Sequence, residues 1–515
     1  MFAFAAICAC NKEVVPTVQD TLDGDAYIAV NIGTSDDALT KPDDGNYDSG
    51  TETPVAENAV NTINFLFFKD GKLVKKSTPA FTTWNDSGDV DPQPNIEKMS
   101  EAVVVLREND PLPNQLLVLL NAPTTYVEGL AVETTTLAEV LAKYDDYSDP
   151  KTKGFIMTNS VYATDATGAV VNNVTMINPA EHLKATEAAA KASPVKVYVE
   201  RVNSKVVVKK GDSYVDHQDF EVDGNPVTLR HKVLGFAVTP EINKSYLVKN
   251  ITGISNGNDL DNSTGYWDNW NDNNNFRSYW AVNPALVAHN VEITATATFT
   301  QADNNYTADW EETGTEYVYY PQENVSQTAN PKLIVVAQIE KEVTSGNWEA
   351  YTAYSYAGKW YTDSHLLLMA KNALHAAGHN AFTTSDLEIV AAGAPAKDYE
   401  VKIKFTDEAG KTDAEKNVLS NLGNAKKWED GKCYFFVDIE HFGTYDGNLL
   451  KGFVRNHQYE ITINSISGWG TPGDIGIGGG TEDPIIPEDP EDESYVAATI
   501  NILKWKVVKQ NVDLQ

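Results

Sequence analysis

Short runs in which every second residue is apolar recur along most of this 515-residue chain, and that period restricts it to sheet more tightly than composition does. In "AYIAVNI", Ala26, Ile28, Val30 and Ile32 fall on one face, and in "INFLFF", Ile63, Phe65 and Phe67 do the same. Between these two runs lies "GTSDDALTKPDDGNYDSGTETP", polar, acidic and glycine-bearing, which reads as an exposed loop. The first strand is therefore joined to the rest by a connection that a protease can reach.

Further strands are expected in "EAVVVL", "QLLVLL", "KVYVERV", "KVVVKK", "HKVLGFAV", "KSYLVKNI", "VEITATATF", "KLIVVAQI", "CYFFVDI" and "QYEITINSI". Helix is expected only in "VEGLAVETTTLAEVLAKYD", "PAEHLKATEAAAKA" and "DSHLLLMAKNALHAAG", the last with Leu366, Met369 and Ala373 on one face. Many short strands with long polar connections predict an all-β dominated, mostly antiparallel sandwich architecture. The chain exceeds the usual size of one core, so two domains are expected, over 51–235 and 236–480.

The chain opens on "MFAFAAICAC", apolar throughout, after which polarity begins abruptly at Asn11. Small residues ahead of a cysteine are how a bacterial lipoprotein signal ends, so residues 1–10, shorter than a complete signal and without a basic n-region, read as the end of one with Cys10 the lipidated residue, the alternative being a plain apolar terminus. Residues 11–50 then hold the first strand and the loop. No later run has the eighteen or more apolar residues of a spanning helix. Forty Lys and Arg against 73 Asp and Glu give a charge of −33, which repels nucleic acid and anionic membranes.

No constellation points to an enzyme or a cofactor. "GDIGIGGG" at 473–480 leads into "TEDPIIPEDP" and not into a helix, so its amides have no dipole with which to cradle phosphate. His375 and His379 lack the glutamate of a zincin motif and read as polar helix positions. The oxygen-rich "DLDNSTGYWDNWNDNNN" follows no calcium-loop register. Its aromatics, Tyr266, Trp267 and Trp270 with Tyr279 and Trp280 beyond, read as the packed base of a loop, with a glycan platform as the alternative. Cys433 reads as a small core residue.

The far end is the most unusual part. Residues 481–494 carry Pro484, Pro487 and Pro490 with seven acids and no basic residue, a composition that stiffens and extends a tether. Beyond it, over 495–515, Val496, Ala498, Ile500 and Ile502 alternate, and the register then changes through Leu503, Trp505 and Val507, as in two short strands or a bulge. Such a segment either folds back as an edge strand or fills a sheet edge of a neighbour. If strand 26–32 leaves and the end of another copy enters, assembly runs head-to-tail without closing and makes a fibre.

The order of "ACNKE", "INFLFFKDGKL", "LLVLLNAP", "GFIMTNS", "FRSYWAVNP", "YYPQEN", "RNHQYEITINSISGWGTPGD", "EDPIIPEDPEDE" and "ATINILKWKVVKQNVDL" resembles the fimbrillin family of Bacteroidales type V fimbriae, most of all the shaft subunit of short fimbriae. The resemblance implies two tandem β-sandwich domains of transthyretin-like type with a C-terminal donor-strand appendage. It also implies a lipoprotein precursor, anchored to the outer membrane through Cys10, that a maturation protease cuts to expel a strand. On this chain the expelled strand carries Ala26, Ile28, Val30 and Ile32, and the cleavage loop runs from Asp36 to Gly50. The donor carries Val496, Ala498, Ile500, Ile502, Leu503, Trp505 and Val507. Implied partners are further copies of the chain, anchor and tip subunits, the protease, and host or bacterial surface receptors. One departure stands out: the loop has no arginine, and its one basic residue, Lys41, precedes Pro42, whose missing N–H makes that bond a poor trypsin-like site. The expected function is a structural subunit of a surface fimbria that supports adhesion and biofilm formation. The alternative is a monomeric glycan-binding surface lipoprotein.

Overall fold

The computed structural model describes residues 26–35, 57, 59–78, 85–86, 96–107, 110–145, 154–163, 171–215, 217–239, 245–250, 267–269, 276–278, 316–323, 332–445, 448–473, 500–504 and 506–513. The architecture is largely sheet, in several sheets with short helices between them.

The N-terminal part is built on a ten-stranded sheet. Its main path runs in the order 72–77, 63–69, 115–120, 157–159, 195–201, 26–35, 96–106 and 85–86. Both faces of this sheet are covered. Phe65, Phe67, Leu116, Val118 and Leu120 enter one core, while Leu66, Phe68, Leu117 and Leu119 enter a second beneath Val127, Leu130 and Val140. This is why "INFLFF" and "QLLVLL" are nearly continuous apolar runs: a strand buried on both faces loses the polar half of its alternation. The helix expected over 127–145 is instead two short ones, Thr124–Glu128 and Leu137–Leu141. A capping box starts the second: Glu139 N–H donates to Thr136 Oγ1 and Thr136 N–H to Glu139 Oε2.

The C-terminal part layers a five-stranded sheet on a six-stranded one. Val206, Val208, Tyr459, Ile461 and Ile463 from the first share a single core with Leu229, Phe236, Leu333, Val335, Ala337, Phe435 and Val437 from the second. Strand Asn225–Thr239 runs unbroken through residue 236, where the sequence suggested a boundary, and Leu229, Val233 and Phe236 all enter this core. The chain crosses between the two parts at residues 202–204: Val199 belongs to the first core and Val206 to the second.

Between strands Lys332–Thr344 and Lys432–Asp438 the chain makes a unit that the strand pattern did not foresee. Five strands in the order 359–361, 353–356, 425–428, 400–405 and 387–391 carry helices Asp363–Ala376 and Asp413–Ser420 around a core of their own. The first helix buries Leu366, Ala370 and Leu374 rather than the expected set of Leu366, Met369 and Ala373. The i, i+4, i+8 stripe wins because it faces the sheet. The second helix has a legible start, since Thr412 and Glu415 form a capping box. Trp360 stacks on Trp469 at 3.9 Å between ring centroids, and Trp428 Nε1–H donates to the Trp469 carbonyl at 2.8 Å, which ties the unit to the adjacent core.

Candidate functional site

The first strand, Ala26–Ser35, is an interior strand of the ten-stranded sheet. On one side it pairs antiparallel with strand Ile96–Leu106, from Ala26 opposite Leu106 to Gly33 opposite Met99, and past a bulge Ser35 lies opposite Ile96. On the other side Tyr27 and Ile28 pair antiparallel with Lys184 and Leu183, and Val30, Ile32 and Thr34 pair in parallel with Val195, Val197 and Val199. Ile28 shares a core with Ala102, Val104, Leu106, Val195, Val197 and Val199. Neighbouring strands lie ~4.8 Å apart, so withdrawing this one opens a slot about 9.6 Å wide with unpaired backbone groups on both walls.

Adjacent residues Ile28 and Ala29 are both 0% exposed, so the sheet is covered on both faces at this point. The short helix Glu187–Lys191 lies against the first strand, with Ala190 buried. A strand seated here must offer a branched aliphatic side chain and a small one in consecutive positions.

The chain beyond the expected cleavage loop is held independently of the first strand. The Glu57 carboxylate sits 2.9 Å from Lys205 Nζ, accepts a hydrogen bond from Tyr320 Oη–H, and is 1% exposed. Arg201 Nε–H donates to the Glu57 carbonyl at 3.0 Å. Asn121, at φ 55°, clamps the residues just beyond: its Oδ1 accepts from Asn61 N–H at 2.7 Å, and its Nδ2 donates to the carbonyls of Ala59 and Phe155, each at 2.8 Å. Two more buried ion pairs, Glu200 with Lys249 at 3.0 Å and Glu323 with Arg455 at 3.0 Å, complete the polar junction between the two parts. Removing one partner of such a pair leaves a charge in low dielectric, so the junction fixes where the segments meet. Sequence reading missed it, because a lone Glu or Lys carries no local signal of burial.

At the other end, Ile500–Lys504 and Lys506–Asp513 form a hairpin in which Asn501 pairs with Val508 and Ile502 with Val507. The register change expected between Ile502 and Leu503 falls inside the first of these strands and not between the two. The hairpin lies against strand His457–Ser465 of the same chain. Ile500 and Asn501 are antiparallel to Ile461 and Glu460, while Lys506, Val507 and Val508 are parallel to His457, Gln458 and Tyr459. Of the expected donor residues, Ile500, Ile502, Leu503 and Val507 are in these strands, and Val496, Ala498 and Trp505 lie outside the described residues. Cys10, Asp36, Lys41, Pro42 and Gly50 lie outside them as well.

The remaining candidates have structural surroundings. His375 Nε2 lies 2.8 Å from the Phe382 carbonyl, and His379 Nδ1 lies 3.7 Å from Glu415. Cys433 is 0% exposed with its Sγ 3.6 Å from the Ala337 carbonyl, and burial pushes its thiol well up. Trp267 is in a short strand, Trp267–Asn269, while Tyr266, Trp270, Tyr279 and Trp280 lie outside the described residues. Among the described residues no group of three or more His, Cys, Asp or Glu could hold a metal ion, and no helix is long and apolar enough to cross a membrane.

No curated protein matches the chain. Among solved structures it is similar to a protein of Parabacteroides distasonis ascribed to cell adhesion, at 12% identity over 95% of this chain and 96% of that one, with a TM-score of 0.35. It is similar also to one of Bacteroides eggerthii with the same ascription, at 10% identity over 95% and 99%, TM-score 0.35. A third similar structure is a tip fimbrial protein of Porphyromonas gingivalis with a C-terminal truncation, at 11% identity over 85% and 94%, TM-score 0.32. Residues 426–511 match the family described as major fimbrial subunit protein type IV, fimbrillin, C-terminal, a designation of type IV where the sequence resemblance was to type V. The link to a named family therefore lies in the C-terminal part, which holds strand 457–465 and most of the hairpin paired with it, and there the chain is similar to fimbrial subunit proteins.

Proposed function

We propose that the chain is a structural subunit of a bacterial surface fimbria that polymerises by strand exchange. Its precursor is lipid-anchored to the outer membrane through Cys10, and a protease cuts the loop between Asp36 and Gly50. The strand carrying Ala26, Ile28, Val30 and Ile32 is then replaced by the terminal segment of another copy. The body is two tandem β-sandwich domains of transthyretin-like type that divide where the chain crosses between its cores. Anchor and tip subunits share the fibre, which serves adhesion and biofilm formation.

The observation that carries this reading is the interior position of the first strand. It is paired on both sides, yet it is joined to the body only through the acidic loop, and the body resumes at the independently pinned Glu57. Cutting the loop thus frees a strand while the body stays anchored at Glu57. Each backbone hydrogen bond contributes about 0.5–1.5 kcal/mol net, so an empty slot is strongly disfavoured and a replacement strand is drawn in. The pairing of the terminal hairpin with strand 457–465 of its own chain favours the second reading, a monomeric surface lipoprotein that keeps its tail.

Electron microscopy of protease-activated subunits separates the two. Subunits lacking residues 495–515 are expected to form no fibres alone and to cap fibres of the full-length protein. Fibres of normal length from the deleted subunit alone overturn the donor reading.

A further inference from the structure

A six-residue stretch of the first strand is similar to one in the tail. "YIAVNI" (27–32) and "YVAATI" (495–500) align without a gap: Tyr27 with Tyr495, Ile28 with Val496, Ala29 with Ala497, Val30 with Ala498, Asn31 with Thr499 and Ile32 with Ile500. From this match and the slot geometry, and resting on the fimbrial reading, we infer the register of assembly: Tyr495-Val496-Ala497 of a second copy takes the places of Tyr27-Ile28-Ala29.

The two fully buried positions of the first strand select this register. Ile28 and Ala29 are each 0% exposed and on opposite faces, so the incoming strand must present a branched aliphatic followed by a small residue. Val496 followed by Ala497 meets both demands. A second alignment, which places Ile500-Asn501-Ile502 on Val30-Asn31-Ile32, keeps the same parity. It puts Ala498 in the place of Ile28, leaving a void, and Thr499 in the place of Ala29, burying a hydroxyl and extra volume in an enclosed position. In the inferred register Val496 stands opposite Val104, Ala498 opposite Ala102 and Val195, Ile500 opposite Ser100 and Val197, and Ile502 opposite Val199. The odd-numbered residues pair likewise: Ala497 with Val103, Thr499 with Glu101 and Asn501 with Met99. The tail keeps the direction of the first strand, parallel to strand 195–201. Within the single chain Ile500 and Asn501 pair with Ile461 and Glu460, so the donor has to leave strand 457–465 before it can be given away.

Cysteine pairs split between two subunits read the register directly. One subunit carries Thr499→Cys and the other Glu101→Cys; after activation and mixing, a disulfide-linked heterodimer is expected on a non-reducing gel. Asn501→Cys is expected to link to Met99→Cys and not to Glu101→Cys or Val103→Cys. Links of Asn501 to Glu101 in normal fibres mean a shift of two residues, and links of Asn501 to Val103 mean a shift of four or, where Thr499 still links to Glu101, reversed polarity. Either overturns the inference while leaving strand exchange standing, whereas fibres from the subunit without residues 495–515 overturn strand exchange itself. An independent variant tests the steric argument. Ala497→Leu is expected to abolish fibres while the monomer stays folded and secreted. Normal fibres from Ala497→Leu refute the inferred register.

Discussion

Glu57 and Lys205 meet at 2.9 Å between Oε1 and Nζ, with side chains only 1% and 2% exposed, at the point where the chain crosses from the first core to the second. A pair this dry adds little net stability over an apolar pair of the same shape, but breaking it strands the surviving charge. Glu57→Ala is expected to lower the unfolding free energy by about 3–5 kcal/mol. Replacing both residues, as Glu57→Leu with Lys205→Met, should recover much of that loss. Urea denaturation of the parent and both variants measures this, and a single variant as stable as the parent would show that the pair does not hold the junction.

Mature fibres are expected to begin between Asp36 and Gly50, so that strand 26–35 is gone while Glu57 and strand Ile63–Lys69 remain. Amino-terminal sequencing of purified fibres locates the new end and shows whether the Lys41–Pro42 bond is spared. Assembled subunits that retain Ile28 and Val30 would rule out removal of the first strand.

In the inferred register Ile500 and Ile502 take the places of Ile32 and Thr34, which pair with Val197 and Val199. Aspartate at both positions brings charges into apolar surroundings with no partner, a penalty of several kcal/mol. Folded, secreted monomers that polymerise poorly are the expected outcome, whereas Thr499→Ser with Asn501→Ser is tolerated. Sedimentation of activated protein gives the polymer fraction; equal fractions for the two variants would mean that parity is irrelevant.

Burial raises the Cys433 thiol and the Tyr434 and Tyr459 phenols above their ordinary values. In each case the folded group holds its proton to higher pH than the unfolded one. The associated stability is therefore complete below the unfolded values, about 8.5 for cysteine and about 10 for tyrosine, and is lost as pH rises beyond them. Urea midpoints are expected to fall from about pH 8.5 upward and more steeply above about 10. Cys433→Ala should remove the earlier part of the decline, and a flat profile to about pH 11 would contradict the assignment.

Local pattern determined a good deal about this protein. Alternation marked the first strand, because side chains on a strand switch face at every residue whatever lies around them. The same alternation pointed to strand at the far end, where Ile500–Lys504 and Lys506–Asp513 lie. Tertiary structure decided the rest, since it depends on residues far apart in sequence. Whether a strand is interior or at an edge is set by its neighbours: the first strand is interior only because segments 96–106 and 195–201 flank it. The burial of Glu57 comes from Lys205 and Tyr320, which lie far along the chain. The unit between strands 332–344 and 432–438 escaped notice because its strands are short and a sequence window cannot see them share a core with two helices. Its first helix was legible in "DSHLLLMAKNALHAAG", whereas the capping box of Thr412 and Glu415 that starts the second, a local signal needing no distant partner, was passed over.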